Sequence, residues 1–230
     1  MKTKVKQQNE FQSKMNQSLN QLQLSFFQPT NGLTEEQIFF SIDRYNIAKR
    51  KIDQLGLNIN QITILEDWTS KSVDLTLFDS NVDNWNDSSV LNKRIIGKKH
   101  VLFLIEDDEE EKFGYYFKGI IQPESGDNNS SEKNSFEFNI QSSNKRLKKP
   151  MKCKIKDCSF GIELFSKDNT YNFLIRLGDI YLKNNGVTGN CCQQDDSHFN
   201  YCGIPNILCG KTLSDGGCFN LKRLIVVEMK

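Results

Sequence analysis

Long apolar runs are missing from this sequence, and so is any excess of charge. No stretch approaches the ~20 consecutive apolar residues that a membrane-spanning helix needs, and the amino-terminal MKTKVKQQNEFQ is too polar for the core of a secretion signal. Both absences predict a cytoplasmic protein without a transmembrane segment. Lysine and arginine number 30 against 29 aspartate and glutamate. No global field therefore draws the chain to nucleic acid or anionic lipid, and no nucleic-acid partner is expected. The phosphate-binding G-x-x-x-x-G-K-[ST], the Rossmann fingerprint and H-E-x-x-H are all absent, which leaves nucleotide-dependent and zincin chemistry without a motif. Only His100 and His198 could serve a cysteine nucleophile. The 7 cysteines are odd in number and contain no C-x-x-C pair, so a reducing compartment would hold them mostly as thiols.

What the sequence does contain is organised around residues 99–122, KHVLFLIEDDEEEKFGYYFKGIIQ. His100 to Ile105 is an unbroken β-forming run, and Phe113 to Ile121 is a second, rich in aromatic and β-branched residues. Between them Glu106 to Glu111 reads as a solvated acidic turn. The pair is a hairpin, and the continuous apolar character of its first strand predicts burial on both faces in the middle of a sheet.

Residues 3–27 repeat Phe11, Met15, Leu19, Leu22 and Phe26 at helical spacing on a polar background, but the low complexity of residues 1–31 also fits a partly disordered start. A second helix is predicted over 32–56. Thr34 and Gln37 form a capping box, Glu35 and Glu36 suit the first turn, and Ile38, Ile42, Tyr45, Lys49 and Ile52 form a short heptad seam. That seam would serve a coiled-coil homo-oligomer or a helical hairpin packed within the chain. Val73, Leu75 and Leu77 alternate in the next strand, which would bury one face. Trp85 belongs under a polar loop, and a helix capped by Asn86 or Asp87 and ended by Gly97 turns Val90, Leu91 and Ile95 inward. Beyond the hairpin, SFEFNIQ supplies Phe136, Phe138 and Ile140 as a third strand. SFGIELF, TYNFLIRLG and GDIYLK follow as short strands, then a Cys-rich loop, and Leu224 to Val227 bring the carboxyl terminus into the core. The fold class expected is α+β, mainly β, with a domain over 62–230 behind the helical start.

This order of elements resembles the TLDc domain family, shared by oxidation-resistance proteins. The resemblance lies in LTLFDSNVDNWNDSSVLNKRIIGKKHVLFLIED, KFGYYF, SFEFNI and ILCGKTL with FNLKRLIVVEM. Phe113, Gly114, Phe136, Phe138 and Glu228 carry its motif positions. Tyr115 and Tyr116 stand where the family has small residues, and the family's late tryptophan is missing. The resemblance implies a two-layer antiparallel β-sandwich with peripheral helices, a non-enzymatic role and no cofactor. It also implies protein partners, among them subunits of the vacuolar proton-pumping ATPase, and a link to oxidative-stress protection.

Other readings compete at particular residues. Cys191, Cys192, Cys202, Cys209 and Cys218 with His198 hold enough donors for zinc, but packed thiols answer the irregular spacing better. A redox sensor would favour Cys153, beside Lys154 and Lys156. An enzyme centred on the Cys-rich loop, or an oligomerisation adaptor acting through the amino-terminal helices, are the alternatives to a binding domain. Lys145, Arg146, Lys148, Lys149 and Lys152 form the strongest local field and a candidate interaction patch; without interleaved aromatics, a solvated connection balancing the acidic turn explains them as well.

Overall fold

The computed structural model describes residues 35–123, 135–143, 149–154, 161–170, 172–178, 180–184, 190–192, 208 and 218–230. The chain divides into two compact units, Met1–Thr63 and Ile64–Lys230. In the first, helix α1 spans Glu35–Leu55 and stops at Gly56, whose φ of 62° is the left-handed conformation that ends helices. The helix expected over 3–27 lies outside the described residues.

A helix not anticipated in the sequence, α2 at Ile59–Thr69, follows. Asn58 and Gln61 start it by a reciprocal capping box: the Asn58 amide donates to Gln61 Oε1 at 2.9 Å and the Gln61 amide to Asn58 Oδ1 at 3.0 Å. Next come β1 (Val73–Asp79) and α3 (Ser88–Ile95), the latter capped by Asp87, whose carboxylate accepts from the Ser89 amide. The hairpin is β2 (Lys99–Asp107) and β3 (Lys112–Ile120). β4 (Phe136–Gln141), β5 (Met151–Lys154), β6 (Ile162–Leu164), β7 (Phe173–Leu177), β8 (Ile180–Lys183), β9 (Asn190–Cys192), β10 (Cys218–Phe219) and β11 (Leu221–Met229) complete it.

Two antiparallel sheets result, with strand orders β1-β11-β2-β3-β4-β5 and β10-β9-β8-β7-β6. β2 sits inside the first sheet, and Val101 to Ile105 are all buried. The two faces have different partners. Val101, Phe103, Ile105, Phe113, Tyr115 and Phe117 join Leu174, Leu177, Ile180, Leu182 and Phe219 of the second sheet in one core. On the opposite face of the first sheet Trp68 of α2 meets Phe136 and Phe138 at ring separations of 6.3 and 6.4 Å. A strand covered on both sides needs an apolar residue at every position, which is why β2 does not alternate.

β1 corrects the simple alternation expected of it. Its register against β11 shifts twice, between Val73 and Thr76 and between Thr76 and Phe78. The bulges turn Leu75 outward, 54% exposed, and let the consecutive Leu77 and Phe78 both enter the core. α3 fits its expectation more closely. Leu91 and Ile95 are buried, Val90 and Trp85 pack against the core, and Gly97 has φ +78°.

Candidate functional site

The acidic hairpin turn is solvated at its tip and built into the fold at its base. Asp107 and Glu111 are fully buried, while Asp108, Glu109 and Glu110 are exposed. One carboxylate oxygen of Asp107 accepts the Glu109 and Glu111 amides, both at 2.9 Å. This aspartate locks the turn from within by the local side-chain bonding that Asp favours. Glu110 accordingly takes φ +66°.

Glu111 points the other way. Its carboxylate accepts from Asn139 Nδ2 at 3.3 Å, Ser142 Oγ at 3.1 Å, the Ser143 amide at 2.8 Å and Ser143 Oγ at 3.1 Å. A buried carboxylate is tolerable when several donors replace its hydration, and here they also fix the chain leaving β4. Asn139 donates onward to the Leu208 carbonyl at 2.8 Å. The tip is braced a third time by Asn220, whose side-chain amide donates to Asp108 Oδ2 at 2.9 Å.

Among the described residues, the cations that answer the acidic turn come from the sheet. Lys112 lies 3.7 Å from Glu106, which also pairs with Lys222. Burial pushes the Lys112 ammonium below its usual range, against the pull of Glu106 in the other direction. Nearby, Arg223 grips Asp79 through two bonds of 3.0 and 2.6 Å. Burial raises the Asp79 carboxyl, but the Arg223 hydrogen bond, the Asn81 amide and the Arg223 charge outweigh it and leave it below the usual carboxylate value. The outcome is a rigid end of the first sheet from which Asp108, Glu109 and Glu110 project.

Of the basic segment, Lys145, Arg146 and Lys148 lie outside the described residues. Lys149 is exposed. Lys152 donates to the Trp68 carbonyl at 2.9 Å and sits 4.0 Å from the Phe136 ring centroid, so it ties α2 to β4. The family-type positions are structural. Phe113, Phe136 and Phe138 are buried, Gly114 makes room for the Phe103 carbonyl, and Glu228 lies 3.4 Å from Lys98. On α1, Ile42 is 42% exposed and Tyr45 and Ile52 are half-buried. Ile38 lies in α1, but its side chain is outside the described residues.

His100 binds the Tyr116 hydroxyl through Nδ1 at 2.9 Å and takes φ +55° where the β2–β3 register shifts, a structural histidine at a bulge. Burial pushes the Tyr116 hydroxyl up to about 12. Cys153 is packed in the core and Cys218 is an exposed thiol. His198, Cys202 and Cys209 lie outside the described residues. Sequence reasoning missed Asp107 and Glu111 as buried anchors, because alternation gives no signal beside the continuous apolar run that each borders. No helix among the described residues is long and apolar enough to cross a membrane. No family model matches the chain, and no curated protein matches it.

Proposed function

We propose that the chain is a non-enzymatic protein-interaction domain of TLDc type, acting in the cytosol. The observation that carries this reading is the order of elements in the first sheet. A strand and helix lead to a central hairpin, the SFEF strand adds to its second arm, and the closing strand β11 inserts between β1 and β2. The fit of Gly114 beneath the Phe103 carbonyl, at the Phe-Gly pair of the resemblance, supports it further. The braced acidic tip supplies a rigid contact surface, and the resemblance nominates vacuolar ATPase subunits as the partner to test, with oxidative-stress protection as the process. Tagged full-length protein should co-purify stably with pump subunits. Recovery of the bait alone would count against the proposal.

One observation favours self-association as a second reading. α1 leaves Phe40, Ile42 and Ile47 exposed at 61%, 42% and 40%, which suits a second helix against it. Light scattering across a concentration series should show a dimer that Phe40→Glu with Ile47→Glu returns to monomer. A monomer at every concentration removes this reading.

A further inference from the structure

β1 ends the strand order of the first sheet, so one of its sides faces β11 and the other is the sheet's edge. An edge of that kind offers amides and carbonyls to an incoming strand. Side chains occupy these groups here. Glu66 of α2 accepts the Val73 amide through Oε1 at 2.8 Å. Arg94 of α3 donates from one guanidinium nitrogen to the Leu77 carbonyl at 3.0 Å and from another to Asp83 Oδ1 at 2.6 Å. The second oxygen of Asp83 accepts the Asp79 amide at 2.9 Å. The Asp79 carbonyl is taken as well, by the Val82 and Asp83 amides at 3.0 and 2.8 Å.

The Arg94–Asp83 pair therefore spans an acceptor and a donor of the edge, on Leu77 and Asp79, which stand either side of Phe78. A neighbouring antiparallel strand would meet the same two groups with an N–H and a carbonyl of its own. The planar fork of arginine suits it to reach a carbonyl and a carboxylate at once, and its charge is permanent. Asp83 is well covered and Arg94 half open, at 12% and 46% side-chain exposure. Between the Glu66 and Arg94 contacts lies Leu75, 54% exposed, the apolar residue left outward near the middle of the strand.

We propose that Glu66, Asp83 and Arg94 form a side-chain lock on the edge of the first sheet, and that releasing it lets β1 pair antiparallel with β1 of a second copy of this chain. The occupant follows from the strand itself. Antiparallel pairing of two identical strands is self-complementary about a two-fold axis, and it would withdraw the exposed Leu75 of each copy from water. With the lock in place the Val73 amide, the Leu77 carbonyl and both Asp79 groups are already bonded. The two bulges of β1 shorten the stretch that can pair, so association of the opened form should depend steeply on concentration. This lock is separate from the partner proposed above and from the exposed residues of α1.

The test compares full-length proteins by light scattering over a concentration series, all carrying Phe40→Glu and Ile47→Glu so that pairing through α1 is out of the comparison. With the lock intact the mass should stay that of a monomer. Adding Arg94→Ala with Asp83→Ala should raise it to that of a dimer, and adding Leu75→Lys, which sets a charge on the edge, should return it to monomer. Lys167→Ala breaks the 3.2 Å ion pair with Asp87 instead and should leave a monomer. Circular dichroism follows the fold of each, and Arg94→Ala alone is the milder opening should the double variant not fold. Hydrogen exchange reads the lock in the unmodified protein, where the Val73 and Asp79 amides should both be protected. In dilute double variant the Asp79 amide should lose about tenfold in protection, one charge-assisted hydrogen bond, while the Val73 amide keeps its own. Unprotected Val73 and Asp79 amides in the unmodified protein, a monomer from every folded opened variant, or a dimer that Leu75→Lys leaves intact would each overturn the proposal.

Discussion

Replacing Gly114 with alanine would place a methyl carbon 1.9 Å from the Phe103 carbonyl oxygen and 3.0 Å from both the Phe103 carbonyl carbon and Phe138 Cζ. The closest neighbour is backbone, and it belongs to β2, paired with β3 through Leu104 and Gly114. It cannot rotate away as a side chain would. Relief requires β2 and β3 to separate locally or the Phe138 ring to leave its rotamer. Overpacking in a dense core costs about 1–3 kcal/mol, and each ladder hydrogen bond stretched beyond use adds about 0.5–1.5 kcal/mol. A total of about 3 kcal/mol follows, equivalent to a fall of about 6–12 °C in melting temperature for a chain of this length. Gly97→Ala is the control. Nothing lies within 4 Å of the new carbon there, so only the φ of +78° opposes it, a penalty of about 1–2 kcal/mol. Calorimetry of the three proteins decides the matter. If Gly114→Ala melts within about 2 °C of the parent, or no lower than Gly97→Ala, the close-approach reasoning is refuted.

Three further perturbations probe the rest of the sandwich. Glu111→Ala strands the donors of Asn139, Ser142 and Ser143 and should destabilise by about 1–3 kcal/mol, with faster amide exchange at Ser143; unchanged exchange there would contradict the anchoring role. Asp79 has a lowered folded pKa, so its stabilisation is complete above its ordinary value of 3.8 and is lost as pH falls below that. The stability gap between parent and Asp79→Asn in urea titrations should therefore be flat near neutrality and shrink in acid, and a gap that widens in acid would exclude the Arg223 pairing as its source. Asn58→Ala removes the α2 cap and should reduce the stability of that helix by about 1 kcal/mol, visible as faster exchange at Gln61 and Ile62 with β2 unaffected.

The strands of the first sheet were legible because each apolar run has a physical reason to be continuous. β2 is apolar throughout since it is covered on both faces, and Asp87 and Gly97 bracket α3 with side-chain and backbone chemistry that short sequence windows display. Three features resisted. The Asn58-to-Gln61 box is as explicit as the one at Thr34, but it precedes a helix of 11 residues with little amphipathic contrast. The outward turn of Leu75 depends on two bulges, and a bulge is a property of pairing with β11, far away in sequence. The burial of Glu111 within a run of six acidic residues was invisible because its partners, Asn139, Ser142 and Ser143, come from β4 and the chain after it, and that of Asp107 because the turn folds its own amides onto one carboxylate.

The central proposal is that this domain acts by binding protein, and direct binding measures it most simply. Purified full-length chain titrated against purified vacuolar ATPase, followed by interferometry or calorimetry, should give saturable, stoichiometric binding. It should weaken when Asp108, Glu109 and Glu110 are together replaced by serine in a protein whose melting temperature is unchanged. No saturable binding to the pump would contradict the account of its partner, and full binding by the triple variant would contradict the role given to the hairpin tip.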